Sequence, residues 1–229
     1  MKYKAVFFDL DDTLCEGRKT KKVVFKRIHN EVKVFFDIPY KKYFLELEKA
    51  RNDYFNKDIN SCFNTYSRIK FWYSLLKNLN LKSDIKTLKE LVDLYWKYSY
   101  KEIKLFPNVK QVLNKLSKED IVLALISSGD FYSRAEKLIK LKIDKYFNYI
   151  FTSEIVQKNK LNTDIYKYVL KYLNIKASDA VMIGNSVKFD MLPAKEVGFT
   201  TICYGKDVSN SKVDYYIEDI SEIIRILKI

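Results

Sequence analysis

An α/β fold, with a parallel sheet layered between helices and a helical bundle inserted after the first strand, follows from three features of the sequence. The apolar run Ala5 to Phe8 reads as a buried parallel strand. From Arg18 to about Leu105 there is no β alternation, only a succession of helical patterns. After Phe106 and Pro107 strand and helix patterns alternate. Strands separated by helices imply right-handed crossovers and a three-layer, Rossmann-like parallel sheet. The expected division is residues 1-15 and 106-229 as the α/β core, with 16-105 as the helical insert.

In the insert, Val23, Val24, Ile28, Val32 and Phe35 recur at helical spacing, and Asp37 and Pro39 punctuate the end. Tyr40 to Asn56 is expected as a second helix and Tyr66 to Leu79 as a third. Ser83 to about Glu102 is the fourth, with Ser83 as N-cap. In the core the patterns predict helix over Asn108 to Leu116, strand over Ile121 to Ile126, helix over Phe131 to Leu141 and strand over Tyr149 to Thr152. There follow helix over Thr163 to Leu173, strand over Ala180 to Ile183, helix over Val187 to Val197 and strand over Thr200 to Cys203. Val213 to Ile217 and Ile220 to Leu227 close the chain as strand and helix. Only five glycines occur, and Gly129 and Gly184 directly follow apolar strands, where backbone turns tightly or approaches a ligand.

A chain of 229 residues with 48% hydrophobic and 31% charged residues has the composition of a soluble globular protein. No run approaches 18 uncharged apolar residues, so no membrane span is expected. Lys2 and Lys4 lead straight into the first strand, unlike a signal peptide. Cys15, Cys62 and Cys203 are scattered, which argues against a disulfide framework or zinc site and for a reducing, cytoplasmic setting. The net charge of +13 is concentrated in residues 16-105, which hold 21 Lys and Arg against 11 Asp and Glu. Such a surface suits phosphorylated ligands, or is a solvated Lys-rich face; nucleic acid stays possible on charge alone.

Asp9, Asp11 and Asp12 crowd the end of the first strand. Carboxylates packed there repel one another, and are tolerable mainly where a cation or a reaction compensates them. In an extended segment Asp9 and Asp11 lean toward one point while Leu10 turns into the core. The same residue types also serve ordinary acidic turns and helix caps. The pattern D-x-D-x-T after a hydrophobic strand, Phe7-Phe8-Asp9-Leu10-Asp11-Asp12-Thr13-Leu14, resembles the haloacid dehalogenase-like superfamily, most of whose members are magnesium-dependent phosphatases.

That resemblance implies roles for specific residues. Asp9 would be the nucleophile and Asp11 the general acid and base. Val181 to Asp190 is similar to the family's fourth motif, with Asp190 at its second acid and Asn185 in place of the first. Asp9, the Asp11 carbonyl, Asp190 and Asn185 would then hold magnesium. Ile126-Ser127-Ser128-Gly129 resembles the second motif, in which a hydroxyl and backbone N–H groups hold phosphate; Ser127 is the expected hydroxyl. The lysine that pairs with the nucleophile falls at Lys160, with Lys158 nearby as the alternative and Leu161 where the family commonly has Pro. The insert resembles the helical cap of this superfamily, whose motion would exclude and readmit water.

The function implied is hydrolysis of phosphate monoesters of small metabolites, such as sugar or triose phosphates including glyceraldehyde 3-phosphate, or nucleotides, through an aspartyl-phosphate. A phosphomutase using the same residues is one alternative, and a non-catalytic nucleic-acid-binding module with a basic cap is another. Monomer and homodimer are both compatible with the sequence. Among other residues, His29 is expected in a surface or packing role. Cys15 is expected to pack or line the pocket, and Trp72, Trp96 and Tyr95 to belong mostly to the core of the insert.

Overall fold

The computed structural model describes residues 3–32, 37–57, 68–205 and 212–229. The chain divides into two compact units, Met1–Glu16 with Lys104–Ile229, and Gly17–Ile103.

The first unit is built on six parallel strands: β1 (Ala5–Phe8), β2 (Val122–Ser127), β3 (Tyr149–Thr152), β4 (Ala180–Gly184), β5 (Thr200–Tyr204) and β6 (Tyr215–Ile217). Their spatial order is β3-β2-β1-β4-β5-β6, and every pairing is parallel. β1 is central, with Phe8 opposite Leu125 on one side and Ile183 on the other. The chain winds outward from β1 to β2 and β3, then returns to β1's other flank for β4. That reversal of direction leaves a crevice beyond the carboxyl ends of β1 and β4, the place where open α/β sheets bind ligands.

A buried strand needs apolar side chains on both faces, and β1 is fully buried along its length. Its period of two sends Ala5 and Phe7 into one layer, with Ala124, Ile126, Met182, Phe151, Tyr166 and Phe199. The Phe199 ring lies 5.6 Å from both Phe7 and Tyr166. The helices of this unit are α5 (Val109–Leu116), α6 (Phe131–Leu141), the short α7 (Ser153–Val156), α8 (Asp164–Leu173), α9 (Leu192–Val197) and α10 (Glu222–Leu227). Asp130 caps α6 by accepting from the Ser133 N–H at 2.7 Å, which satisfies one of the orphan donors of the first turn.

The segment Val187 to Val197 is not one continuous α-helix. Val187–Met191 forms a π-helical turn and only Leu192–Val197 is α-helical. A π-turn accommodates an extra residue in one turn, so its side chains leave the 3.6-residue register read from the sequence. α7 was also not anticipated; Thr152 caps it by accepting from the Ile155 N–H at 3.3 Å.

The second unit contains α1 (Gly17–Glu31), α2 (Tyr40–Lys57), α3 (Arg68–Asn78) and α4 (Ile85–Glu102). Its core gathers Phe25, Ile28, Tyr43, Leu47, Phe71, Trp72, Leu75, Leu91 and Tyr95, with Trp96 partly buried against it. The N-cap of α4 is Asp84 rather than Ser83: its carboxylate accepts from the Thr87 N–H at 3.0 Å, a bond only the residue three before Thr87 can make in a first turn. His29 is a packing residue, buried beside Tyr43 with Nε2 2.8 Å from the Ile38 carbonyl. Phe35, Cys62 and Tyr66 lie outside the described residues. Among the described residues no helix is long and apolar enough to cross a membrane.

Candidate active site

β1 places Asp9. Its N–H still donates to the Ile183 carbonyl at 2.8 Å, so the sheet ladder carries it one residue past the strand and holds its backbone rigidly. Thr13 reaches back to Asp9 Oδ2 at 3.4 Å and to Asn185 Oδ1 at the same distance. One hydroxyl proton serves two acceptors, so these two side chains converge on a single point. Between Asp9 and Thr13 the chain turns through Asp12 at φ 65°, a left-handed conformation that few residues with a Cβ adopt.

Lys160 comes from the loop before α8. Its Nζ lies 2.6 Å from Asp9 Oδ1 and 2.5 Å from Asp190 Oδ1, and only 2% of the side chain is exposed. Lys158 is exposed, so Lys160 is the lysine that reaches Asp9. Burial alone would lower the Lys160 ammonium, but Asp190 and Asp9 outweigh it and hold it above the ordinary lysine value. For Asp9 burial is the larger influence; with Asp190 adding to it and Lys160 opposing, the carboxyl is pushed up to about 6. Lys160 therefore only partly offsets the burial of Asp9, and a further cation beside it would favour the ionised form.

Asp190 owes its position to the π-turn. Its Oδ2 accepts from the Ser186 N–H at 3.0 Å, and its carboxylate lies against the end of β4 where Gly184 has no side chain. A Cβ at Gly184 would stand 2.5 Å from Asp190 Oδ2, so glycine is required there by close approach. Tyr166, buried on α8, donates to the Phe189 carbonyl at 3.0 Å and lies 3.3 Å from that of Asp190, pinning the turn from below.

Ser127 ends β2 and is 3% exposed. Its Oγ accepts from Arg134 Nε at 3.0 Å, and the Ser128 carbonyl accepts from Arg134 Nε at 3.0 Å and Nη2 at 2.6 Å. Gly129 turns at φ +109° with the guanidinium close against it. Asp11 does not share Lys160. Its Oδ1 is 2.5 Å from Lys137 Nζ, and its Oδ2 is 3.5 Å from Arg134 Nη1. Cys15 is buried, with Sγ 3.5 Å from the Leu10 carbonyl and 3.8 Å from Asp11 Oδ1; burial foremost, then Asp11, raises its thiol well above the ordinary value.

The expected site residues thus fall into two linked groups. Asp9, Lys160 and Asp190 are joined by ion pairs, with Asn185 attached through Thr13. Asp11, Ser127 and Ser128 are joined through Arg134. The sequence reading missed Arg134, Lys137 and Tyr166. The first two were indistinguishable among 42 basic residues, and their one signal was a pair of cations three apart on an otherwise amphipathic helix.

Among the described residues no group of three or more His, Cys, Asp or Glu side chains could hold a metal ion. The donors that do converge are hard oxygens: a carboxylate of Asp9, the amide oxygen of Asn185 and, across Lys160, the carboxylate of Asp190. An amide oxygen and a backbone carbonyl are ordinary ligands of magnesium, so the chemistry of these donors fits that ion.

Comparison with known proteins identifies relatives of this chain. The chain is 29% identical to glyceraldehyde 3-phosphate phosphatase of Pyrococcus furiosus over 98% of its own length and 93% of the relative's. It is 30% identical to the enzyme of that name from Methanocaldococcus jannaschii, covering 98% and 97%. In fold it is similar to the HAD-hydrolase YfnB from Bacillus subtilis bound to magnesium, with a TM-score of 0.78, 18% identity and full coverage of both chains. A family model described as haloacid dehalogenase-like hydrolase matches residues 3–198, and the chain belongs to that family.

Proposed function

We propose that this chain is a magnesium-dependent phosphatase that hydrolyses phosphate monoesters of small metabolites through an aspartyl-phosphate on Asp9. Glyceraldehyde 3-phosphate is the first substrate to test, since relatives bearing that name cover nearly the whole chain. The single observation that carries the reading is the buried Asp9 carboxylate, fixed by the ladder and by Lys160 at the switch point of the sheet.

In the first half-reaction a carboxylate oxygen of Asp9 bonds to phosphorus as the bond from phosphorus to the ester oxygen breaks. Asp11 gives its proton to the departing oxygen, which leaves as the free alcohol. In the second, water attacks the phosphorus of the acyl phosphate while Asp11 takes the water's proton. Inorganic phosphate leaves and the Asp9 carboxylate returns. Ser127 and the Ser128 and Gly129 N–H groups hold the phosphoryl oxygens, and Lys160 offsets charge on Asp9 and on the phosphoryl group. Magnesium would be held by Asp9, Asp190, Asn185 and the Asp11 carbonyl, and would supply positive charge that eases the approach of a carboxylate to a phosphate. The helical unit Gly17–Ile103 is assigned the role of cap domain.

Phosphate release from an aryl phosphate and from glyceraldehyde 3-phosphate, with and without magnesium, tests the reading. Asp9→Asn is expected to lower kcat by at least about 10³-fold while the protein stays folded. Release that persists in Asp9→Asn at the wild-type rate would sink the nucleophile assignment, and isomerised product without free phosphate would mark a mutase.

A further inference from the structure

We propose that Lys137 and Arg134, one turn apart on α6, are positioning residues for Asp11, and that Arg134 couples its carboxylate to the loop that holds phosphate. The proposal rests on the phosphatase reading of Asp11 given above. At a spacing of three the two cations emerge from one face of the helix. Both are nearly buried, with 8% of the Lys137 side chain and 10% of Arg134 exposed. Long cations are rarely buried unless paired, and here both converge on Asp11, at 2.5 Å for Lys137 and 3.5 Å for Arg134.

Fold stability is a poor explanation for this arrangement. Replacing a buried ion cluster by packed apolar side chains is often neutral or stabilising, so ion pairing for its own sake does not account for two nearly buried cations on one carboxylate. The Arg134 guanidinium lies beside Ser127, Ser128 and Gly129, where a phosphate dianion would be held. Arg134 also ties the loop together: its Nε donates to Ser127 Oγ at 3.0 Å, while the Ser127 O–H donates to the Ser128 carbonyl at 3.4 Å. Asp11 sits in the turning loop beyond β1, where its Oδ1 also lies 3.8 Å from Cys15 Sγ. Lys137 and Arg134 tie that side chain to α6, whose Leu138 and Leu141 are buried. A general acid gains from such fixing because its proton must meet the leaving oxygen and then, in the second half-reaction, the attacking water.

The test uses the full chain with magnesium, as wild type, Lys137→Met, Lys137→Arg, Asp11→Asn and the double variant Lys137→Met/Asp11→Asn, with melting scans of each. On glyceraldehyde 3-phosphate, whose alkoxide needs a proton to leave, Lys137→Met is expected to lower kcat about 30-fold with KM within about twofold of wild type. On 4-nitrophenyl phosphate, whose phenolate leaves unassisted, the same variant should release one equivalent of nitrophenol at the wild-type rate, then turn over slowly as the phosphoenzyme waits for its base. Lys137→Arg, which keeps the charge, should recover to within about threefold of wild type, and adding Lys137→Met to Asp11→Asn should cost less than about twofold. If Lys137→Met melts, Lys137→Gln takes its place in the same cycle. An equal loss on both substrates without a burst, or a full loss that persists in the Asp11→Asn background, overturns the positioning role alone. A wild type that releases no phosphate from either substrate overturns the phosphatase reading and, with it, the role assigned to Asp11.

Discussion

Asp190 and Gly184 show how the absence of a side chain can place a functional one. Asp190 is buried, its two oxygens taken by Lys160 and the Ser186 N–H, and it occupies space that any Cβ at Gly184 would enter. Gly184→Ala is therefore expected to push the carboxylate aside and leave Lys160 with one partner. The outcome expected is a kcat lower by roughly tenfold or more and a higher magnesium requirement, measured by steady-state kinetics across a magnesium titration. Wild-type kinetics in that variant would show that the close approach is not needed. Asn185 illustrates the complementary case: its amide oxygen accepts from the Thr13 hydroxyl and carries no charge, where the resemblance to the family's fourth motif implies an acid.

At the scale of one element, the π-turn Val187–Met191 decides which residue of the segment after β4 meets Lys160. It is held from outside by Tyr166, whose hydroxyl bonds to the Phe189 carbonyl while its ring packs on Phe199. Tyr166→Phe keeps the ring and removes the hydroxyl, leaving buried carbonyl groups short of a donor. The expected cost is about 1–2 kcal/mol in chemical denaturation, with an accompanying fall in kcat as Asp190 loosens. Unchanged stability and unchanged kcat together would mean that the turn is self-supporting. None of this was legible beforehand, because five residues are too few to distinguish a π-turn from the 3.6-residue period of the apolar positions around it.

Over the whole α/β unit, acid stability tracks carboxylates held by neighbours rather than the net charge of +13. Asp214 joins β5 to the segment before β6: it accepts from the Thr201 N–H and Oγ1, each at 2.9 Å, and is ion-paired with Lys195. Burial would raise its carboxyl, but the bonds from Lys195 and Thr201 outweigh this and hold it below the ordinary range. A carboxyl depressed by folding contributes stability above its unfolded value, and that contribution is lost as pH falls through the folded value. Asp214→Asn should thus melt below wild type at pH 7, with the gap closing as pH drops beneath the usual aspartate value of about 3.9. A gap independent of pH would assign the effect to the amide's packing instead.

By itself the sequence determined the order of the strands and of the longer helices and the acidic loop, because each depends on near neighbours: apolar period, strand-end carboxylates, a glycine after a strand. Asp9 and Ser127 could be placed because each stands at the end of its own apolar strand, whereas Asp190 lies beyond β4 in the π-turn. Capping was legible only to within a residue, since Ser83 and Asp84 are both good caps and only the built first turn chooses Asp84. The pairing of charges was decided by tertiary structure alone. Lys160 is 151 residues from Asp9, and Lys137 is 126 from Asp11. Neither separation leaves a mark on local pattern, and parallel crossovers are what bring such distant loops to one end of the sheet.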